Sequence, residues 1–134
     1  MPKFLDTNII LRFLIGDNQE QFQICRDIIF TASQSDQKLH ILPQVIFESM
    51  HVLKTHYKTS KSDIVFLIRE ILDLDHIVFD NKDIFQSGLD IFEFKNHSIQ
   101  DCYYIAYCLT NQLEFVSFDR KATNLYQSLL NQPS

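Results

Sequence analysis

Glycine, proline and tryptophan are scarce in this chain. Its 134 residues include two glycines, three prolines and no tryptophan. So few turn-forming residues argue against a β-sandwich and against long linkers. Helical and strand-like patterns alternate instead from end to end. This alternation predicts an α/β fold with a mainly parallel sheet, in a single domain of residues 1–134.

Long apolar runs and cysteine pairs are also lacking. No stretch reaches the length of a membrane span, and polar residues interrupt the first apolar segment, so we expect neither a membrane helix nor a signal peptide. Cys25, Cys102 and Cys108 include no closely spaced pair. They are typical of reduced, buried thiols. Together these features predict a cytoplasmic protein.

Positive charge is in deficit, with 12 Lys and Arg against 17 Asp and Glu and a net charge of −5. A surface of that sign disfavours broad, sequence-blind binding to nucleic acid. The objection weakens where acids bind a metal, because a divalent cation reverses the local charge. The positions of the acids therefore decide the interpretation.

Two acids follow predicted strands directly. Asp6 comes after the first apolar strand, and Asp119 follows a predicted fourth strand at Glu114–Ser117. In an open α/β sheet, ligands bind beyond the carboxyl ends of the strands. Asp is also a common helix N-cap, so each position has a purely structural alternative.

Two further acids occur on predicted apolar helix faces. Glu48 has the spacing of Val45 and Val52, which predicts that its side chain faces the core. Asp101 precedes Ile105 by four residues, which likewise predicts that its side chain lies on the apolar face of its helix. For Glu48 the structural alternatives are a position at the edge of the apolar stripe or a buried ion pair. For Asp101 the alternative is a capping box with Ser98.

A cluster of carboxylates without cations raises its own pKa values, and divalent metal ions remove that repulsion. Oxygen-rich sites suit Mg²⁺ or Mn²⁺, and no histidine or cysteine cluster competes. Phosphodiester hydrolysis is the chemistry that such a site serves. Additional contacts to a metal-bound water or to phosphate are predicted for four polar residues: Thr7, Asn8, Ser117 and Arg120. Lys121 is interpreted as solvated surface charge.

These motifs resemble the PIN-domain ribonucleases. The first motif is LDTNII at residues 5–10, and the second acid is Glu48. The third motif is SIQD at residues 98–101, and the fourth is VSFDR at residues 116–120. Residues 8–21 (NIILRFLIGDNQEQ) further resemble the bacterial VapC-type toxins of toxin–antitoxin pairs.

The resemblance implies a three-layer α/β/α sandwich with a mainly parallel central sheet of four or five strands. It implies an Mg²⁺- or Mn²⁺-dependent endoribonuclease in which Asp6, Glu48, Asp101 and Asp119 are the catalytic, metal-binding acids. It also implies a homodimer and a cognate antitoxin whose C-terminal tail blocks the acidic pocket. Lys121 and Ala122 stand where many members carry an acid and an aromatic residue, so no fifth acid is expected there.

Other interpretations remain open at this point. A phosphotransfer domain of the haloacid-dehalogenase or receiver type also uses an Asp at a strand end. A haloacid-dehalogenase-like domain requires a second acid at position 8, where this chain has Asn. A receiver domain requires its phospho-acceptor Asp on a middle strand, whereas Asp6 follows the first strand. A housekeeping RNA-processing nuclease and an inactive PIN-like binding module are the remaining alternatives.

Overall fold

The computed structural model describes residues 1–133, and within them the chain forms three short strands and seven helices. In chain order the elements are β1 (Lys3–Phe4), α1 (Thr7–Ile15), α2 (Gln19–Ser35), β2 (Leu39–His40), α3 (Pro43–Thr55), α4 (Lys61–Leu72), β3 (Ile77–Val78), α5 (Lys82–Phe94), α6 (Ile99–Asn111) and α7 (Arg120–Leu130). The chain divides into two compact units, of which the first is Met1–Asp80 and the second begins at Asn81.

The first unit contains a parallel sheet in the order β1-β2-β3. Lys3 is paired with Leu39, and Leu39 is paired in turn with Ile77. The ladder continues one residue beyond β1, where the Leu5 amide donates to the His40 carbonyl at 2.9 Å. Each crossover between strands consists of two helices, as parallel pairing requires. The predicted α/β class and the parallel sheet are therefore confirmed.

The predicted strand count of four or five is wrong for the described residues. Residues 113–117 form neither strand nor helix, although Phe115 and Val116 have high strand propensity. A strand exists only when its amide and carbonyl groups pair with a neighbouring backbone, and local propensity cannot supply that neighbour. Val116 is instead 83% exposed.

Side-chain caps fix most helix starts. Asn18 accepts from the Gln21 amide at 2.9 Å at the start of α2, and Ser60 accepts from the Asp63 amide at 3.2 Å at the start of α4. Gly16 ends α1 with a φ of 67°, a left-handed conformation that glycine adopts without steric cost. These local signals place the helices correctly because each satisfies an amide or carbonyl that a helix end leaves unpaired.

Within the first unit, α1 packs against α2 and α3, and α3 packs against α4. Within the second unit, α6 packs against both α5 and α7. The approach of α5 to α6 is very close at Gly88, where an added Cβ would lie 3.0 Å from the Cα of Tyr103. An alanine there would fit only if the Tyr103 backbone shifted by a few tenths of an ångström.

Five non-glycine residues in the described chain adopt positive φ angles. They are Asp36, Lys58, His76, Asn81 and Gln112. Each lies at a helix boundary or in a turn, where left-handed geometry reverses the chain. Within residues 1–133, no helix combines the length and the apolar character that crossing a bilayer demands.

Candidate active site

Asp6 lies two residues beyond β1 and is the N-cap of α1. Its Oδ1 accepts from the amide of Ile9 at 3.4 Å, which is long for a hydrogen bond. The side chain is exposed. Its two predicted neighbours occupy the first turn of the same helix, with Thr7 half-buried and Asn8 exposed. The capping alternative is thus realised, but the weak cap leaves most of the carboxylate available to solvent.

The prediction that Glu48 faces the core is wrong, because its side chain is exposed. The buried face of α3 consists of Val45, Ile46, Ser49, Met50 and Leu53. At 100° per residue, Glu48 lies roughly 130° around the helix from the centre of that face. Val52, which had appeared to share its face, is only half-buried.

The exposed Glu48 is nevertheless on a helix, α3, that begins beyond the same sheet edge as Asp6. Parallel strands present their carboxyl ends at one edge, and β1 and β2 pair in register. Asp6 comes two residues after β1, and α3 begins at Pro43, three residues after β2. Glu48 is therefore about 7.5 Å from Pro43, measured along the axis of α3. The first unit therefore places one acid at this edge and a second on the helix that leaves it.

Asp101 lies in the first turn of α6. Its amide donates to the Oγ of Ser98, the N-cap, at 3.1 Å. The side chain is half-buried, beside a helix face that buries Cys102 and Ile105. No hydrogen bond or ion pair engages the Asp101 carboxylate within residues 1–133. Ser98 thus fixes the backbone of Asp101 and leaves its carboxylate uncommitted.

Asp119 is the N-cap of α7, and its Oδ1 accepts from the amide of Ala122 at 3.1 Å. The Asp119 amide itself donates to the Oγ of Ser117 at 3.0 Å. Ser117 and Asp119 are both exposed, as is Arg120, the first residue of the helix. Ser117 therefore positions Asp119, a role that the sequence did not indicate, and its hydroxyl proton remains available for another acceptor.

Helices α6 and α7 of the second unit contact each other beyond their first turns, which carry Asp101 and follow Asp119. Tyr126 and Leu130 of α7 line a cavity of about 420 Å³ together with Cys108 of α6 and Leu113 just beyond it. The hydroxyl of Tyr126 also donates to the Leu113 carbonyl at 2.9 Å. The C-terminal halves of α6 and α7 thus lie close together.

The four acids fit Mg²⁺ or Mn²⁺ in their chemistry. All supply carboxylate oxygen, and within the described part of the chain none of them forms an ion pair. Each N-cap acid commits one oxygen to its helix and leaves the other free. Neither unit by itself gathers three or more His, Cys, Asp or Glu side chains that could hold a metal ion among residues 1–133. The convergence of all four acids stays a prediction.

Arg12 organises a polar network that the sequence analysis missed. Its Nε donates to the Oε1 of Gln21 at 2.6 Å, and one of its terminal nitrogens donates to the Tyr57 hydroxyl at 3.0 Å. The Tyr57 hydroxyl in turn donates to Asp17 at 3.2 Å. The network joins α1, which Asp6 caps, to the turn after α3, which carries Glu48. The sequence feature that could have indicated this network is Arg12, the one charged residue in the apolar run LRFLI at residues 11–15.

All three cysteines are free. Burial raises the pKa of the Cys25 thiol, although the positive charge of Arg12 lowers it in part. Burial also raises the pKa of Cys108. Both side chains are therefore protonated at neutral pH and are poor nucleophiles, which argues against a cysteine-based mechanism.

Comparison with known proteins identifies the class. The PIN domain family model matches residues 3–127, and the chain belongs to the PIN-domain family. The matched range includes all four acids. The chain is also similar to a VapC ribonuclease of Aquifex aeolicus (strain VF5). The two are 26% identical over 100 residues, which cover 75% of this chain and 73% of the relative.

Proposed function

We propose that this protein is an Mg²⁺- or Mn²⁺-dependent endoribonuclease. Support comes from the PIN-domain match and from the similarity to a VapC ribonuclease. The observation that carries the proposal is the state of the four matching acids. Each is held by a helix start or an exposed helix face, and none has a cation partner within residues 1–133. Unneutralised carboxylates in such positions are suited to a divalent cation.

In this proposal Asp6 and Asp101 are the principal metal ligands. Glu48 shares ligation or accepts a proton from the attacking water, and Asp119 completes the site directly or through water. When bound, the metal supplies Lewis-acid stabilisation of phosphate oxygens and a more acidic water. The cap bond of Asp119 orients its carboxylate before substrate arrives, which limits reorganisation on binding, and the longer cap bond of Asp6 restrains its carboxylate less.

The neighbouring polar groups bind and orient the substrate. The exposed guanidinium of Arg120 contacts an RNA phosphate oxygen, which a planar donor fork does well. The hydroxyl of Ser117 accepts from the Asp119 amide and can donate its own proton outward. Thr7 and Asn8, on the first turn of α1, donate to phosphate or to water beside Asp6.

The biological role that we propose is that of the toxin of a toxin–antitoxin pair. The similarity to a VapC ribonuclease supports this role, and we accordingly propose a homodimer and a cognate antitoxin. Free cysteines support a reducing, cytoplasmic location. A small antitoxin gene directly upstream, whose product neutralises the nuclease, is the expected genomic context. Its absence would favour a housekeeping RNA-processing nuclease.

The first experiment is cleavage of total tRNA and rRNA by the purified protein with Mg²⁺, Mn²⁺ or EDTA. We expect discrete products that require metal and that disappear with Asp6→Asn and with Asp101→Asn. Asp63→Asn is the matched control. Asp63 occupies the same position in its helix as Asp101 does, with its amide bound to Ser60 in the same way, but it lies outside the four acids.

Asp63→Asn should retain wild-type cleavage. Unchanged cleavage by Asp6→Asn and Asp101→Asn would refute the assignment of the site. Absence of cleavage by the wild-type protein under every metal condition would instead favour an inactive PIN-like binding module.

A further inference from the structure

The basic residues of this acidic chain are unevenly distributed along it. Residues 49–62 contain Lys54, Lys58 and Lys61 but no Asp or Glu. This stretch therefore carries +3, and the remainder of the chain carries −8 at a net charge of −5. Two of the five histidines, His51 and His56, lie in the same stretch. Glu48 and Asp63 flank the stretch, so an anion can bind only locally, where its lysine side chains are exposed.

The basic residues continue the helix face that begins at Glu48. Glu48, His51 and Lys54 are all exposed and lie on the side of α3 opposite its buried residues. Along the helix axis His51 is about 4.5 Å from Glu48, and Lys54 is about 9 Å from it. Along this face the proposed catalytic acid Glu48 is followed by the imidazole of His51 and then by the ammonium group of Lys54.

The turn after α3 carries a second exposed lysine and is held in place. Lys58 has a φ of 55° and an exposed side chain. The amide of Thr59 donates to the Leu53 carbonyl at 2.9 Å, which closes the turn around Lys58. The Tyr57 hydroxyl is anchored by Arg12 and Asp17. Lys58 therefore projects from a fixed backbone, and within residues 1–133 neither Lys54 nor Lys58 forms an ion pair.

We propose that the exposed face of α3 and the turn at Lys58 bind the sugar–phosphate backbone of the RNA strand beside the cleavage site. This inference rests on the proposed function, because the role proposed for Glu48 places the cleavage site at one end of this face. The flexible stem of each lysine lets its ammonium group reach a phosphate without reading the base. Substrate selection therefore arises elsewhere, and this face supplies sequence-independent affinity.

Helix stability offers a competing explanation for Lys54. It lies in the last turn of α3, where a cation interacts favourably with the helix dipole. That explanation predicts a loss of stability on substitution and no change in RNA binding. Lys58 lies beyond the helix end and has no comparable explanation, so the two lysines together separate the possibilities.

The test is the salt dependence of binding to a labelled single-stranded RNA of mixed sequence, measured by fluorescence anisotropy in EDTA, where metal-dependent cleavage cannot occur. The variant is Lys54→Gln with Lys58→Gln. Two lost phosphate contacts should reduce the slope of log Kd against log salt concentration by about 1.4. Under cleavage conditions KM should rise while kcat changes little.

Lys38→Gln is the matched control for charge. Lys38 is exposed and precedes β2, at the amino edge of the same sheet, so its removal should leave the slope unchanged. Lys58→Arg in a Lys54→Arg background should restore the wild-type slope. Thermal unfolding of every variant separates lost contacts from lost structure.

An unchanged slope in the double variant, or an equal loss in Lys38→Gln, would overturn the inference. Either result could occur with metal-dependent cleavage intact, so it would leave the proposed nuclease standing. A reduced slope in a protein that cleaves no RNA would support the binding face and refute the nuclease.

Discussion

Substitution of Asp119 separates a structural role from a catalytic one. Asp119 caps α7 through one oxygen, and its amide-bearing analogue Asn caps helices about as well. Asp119→Asn should therefore preserve the fold while removing the negative charge. Asp119→Ala removes both the cap and the charge. Comparison of the two variants measures each contribution separately.

The magnitude follows from the surroundings of the cap. The bond to the Ala122 amide is partly shielded from solvent, and Ala122 itself is fully buried. Loss of the acceptor leaves that amide without a good substitute, so Asp119→Ala should destabilise the protein by about 1–2 kcal/mol. For a chain of 134 residues this lowers Tm by about 4–7 °C.

The assays are urea or thermal unfolding and metal-dependent RNA cleavage on the same preparations. We expect Asp119→Asn to unfold within about 0.5 kcal/mol of the wild type and to lose cleavage. Equal destabilisation by Asn and Ala would refute the capping geometry. A stable Asp119→Asn protein with full cleavage would show that Asp119 is a cap only.

Two further predictions concern the second unit. Gly88→Ala should destabilise by about 1–2 kcal/mol, because overpacking against the backbone of Tyr103 outweighs the gain in helix propensity; urea unfolding measures this, and a stabilised variant would contradict the close approach. Burial raises the pKa of Cys108, so its reaction with iodoacetamide at pH 8 should be slower than that of a free thiol and should accelerate above pH 9. Mass spectrometry of the labelled peptide follows the reaction, and labelling at the rate of a free thiol at pH 8 would contradict the burial.

The sequence predicted the elements that depend on neighbours along the chain. Gly16, Asn18 and Ser98 mark helix boundaries because each pairs with backbone a few residues away. α7 begins directly after Asp119, for which the sequence analysis offered the role of helix N-cap. Features that depend on distant partners were missed. The segment at residues 113–117 has the composition of a strand but no ladder in the described structure.

The candidate site shows the same division. Asp6 was placed correctly beyond a strand, because the signals for that strand and for the cap are local. Asp119 was placed correctly at a helix start but wrongly at the end of a strand, because a cap depends on near neighbours and strand pairing does not. The orientation of Glu48 was wrong, because two apolar neighbours define a helix face poorly when one of them, Val52, is only half-buried. The network around Arg12 joins residues as far apart as position 57, and no sequence spacing announces such a contact.

The five left-handed turns at non-glycine residues hold backbone strain that a glycine would avoid. For Lys58, His76 and Gln112 the side chain crowds the following carbonyl at a cost of about 1 kcal/mol each, whereas Asp36 and Asn81 are of the two residue types that tolerate this conformation better. Glycine at Lys58 or Gln112 removes this crowding but adds freedom to the unfolded chain, and glycine at Asp36 or His76 also removes the contact between their side chains. Four of these positions are separate from every acid and lysine assigned a role in RNA cleavage or binding, so robustness and activity can be adjusted independently.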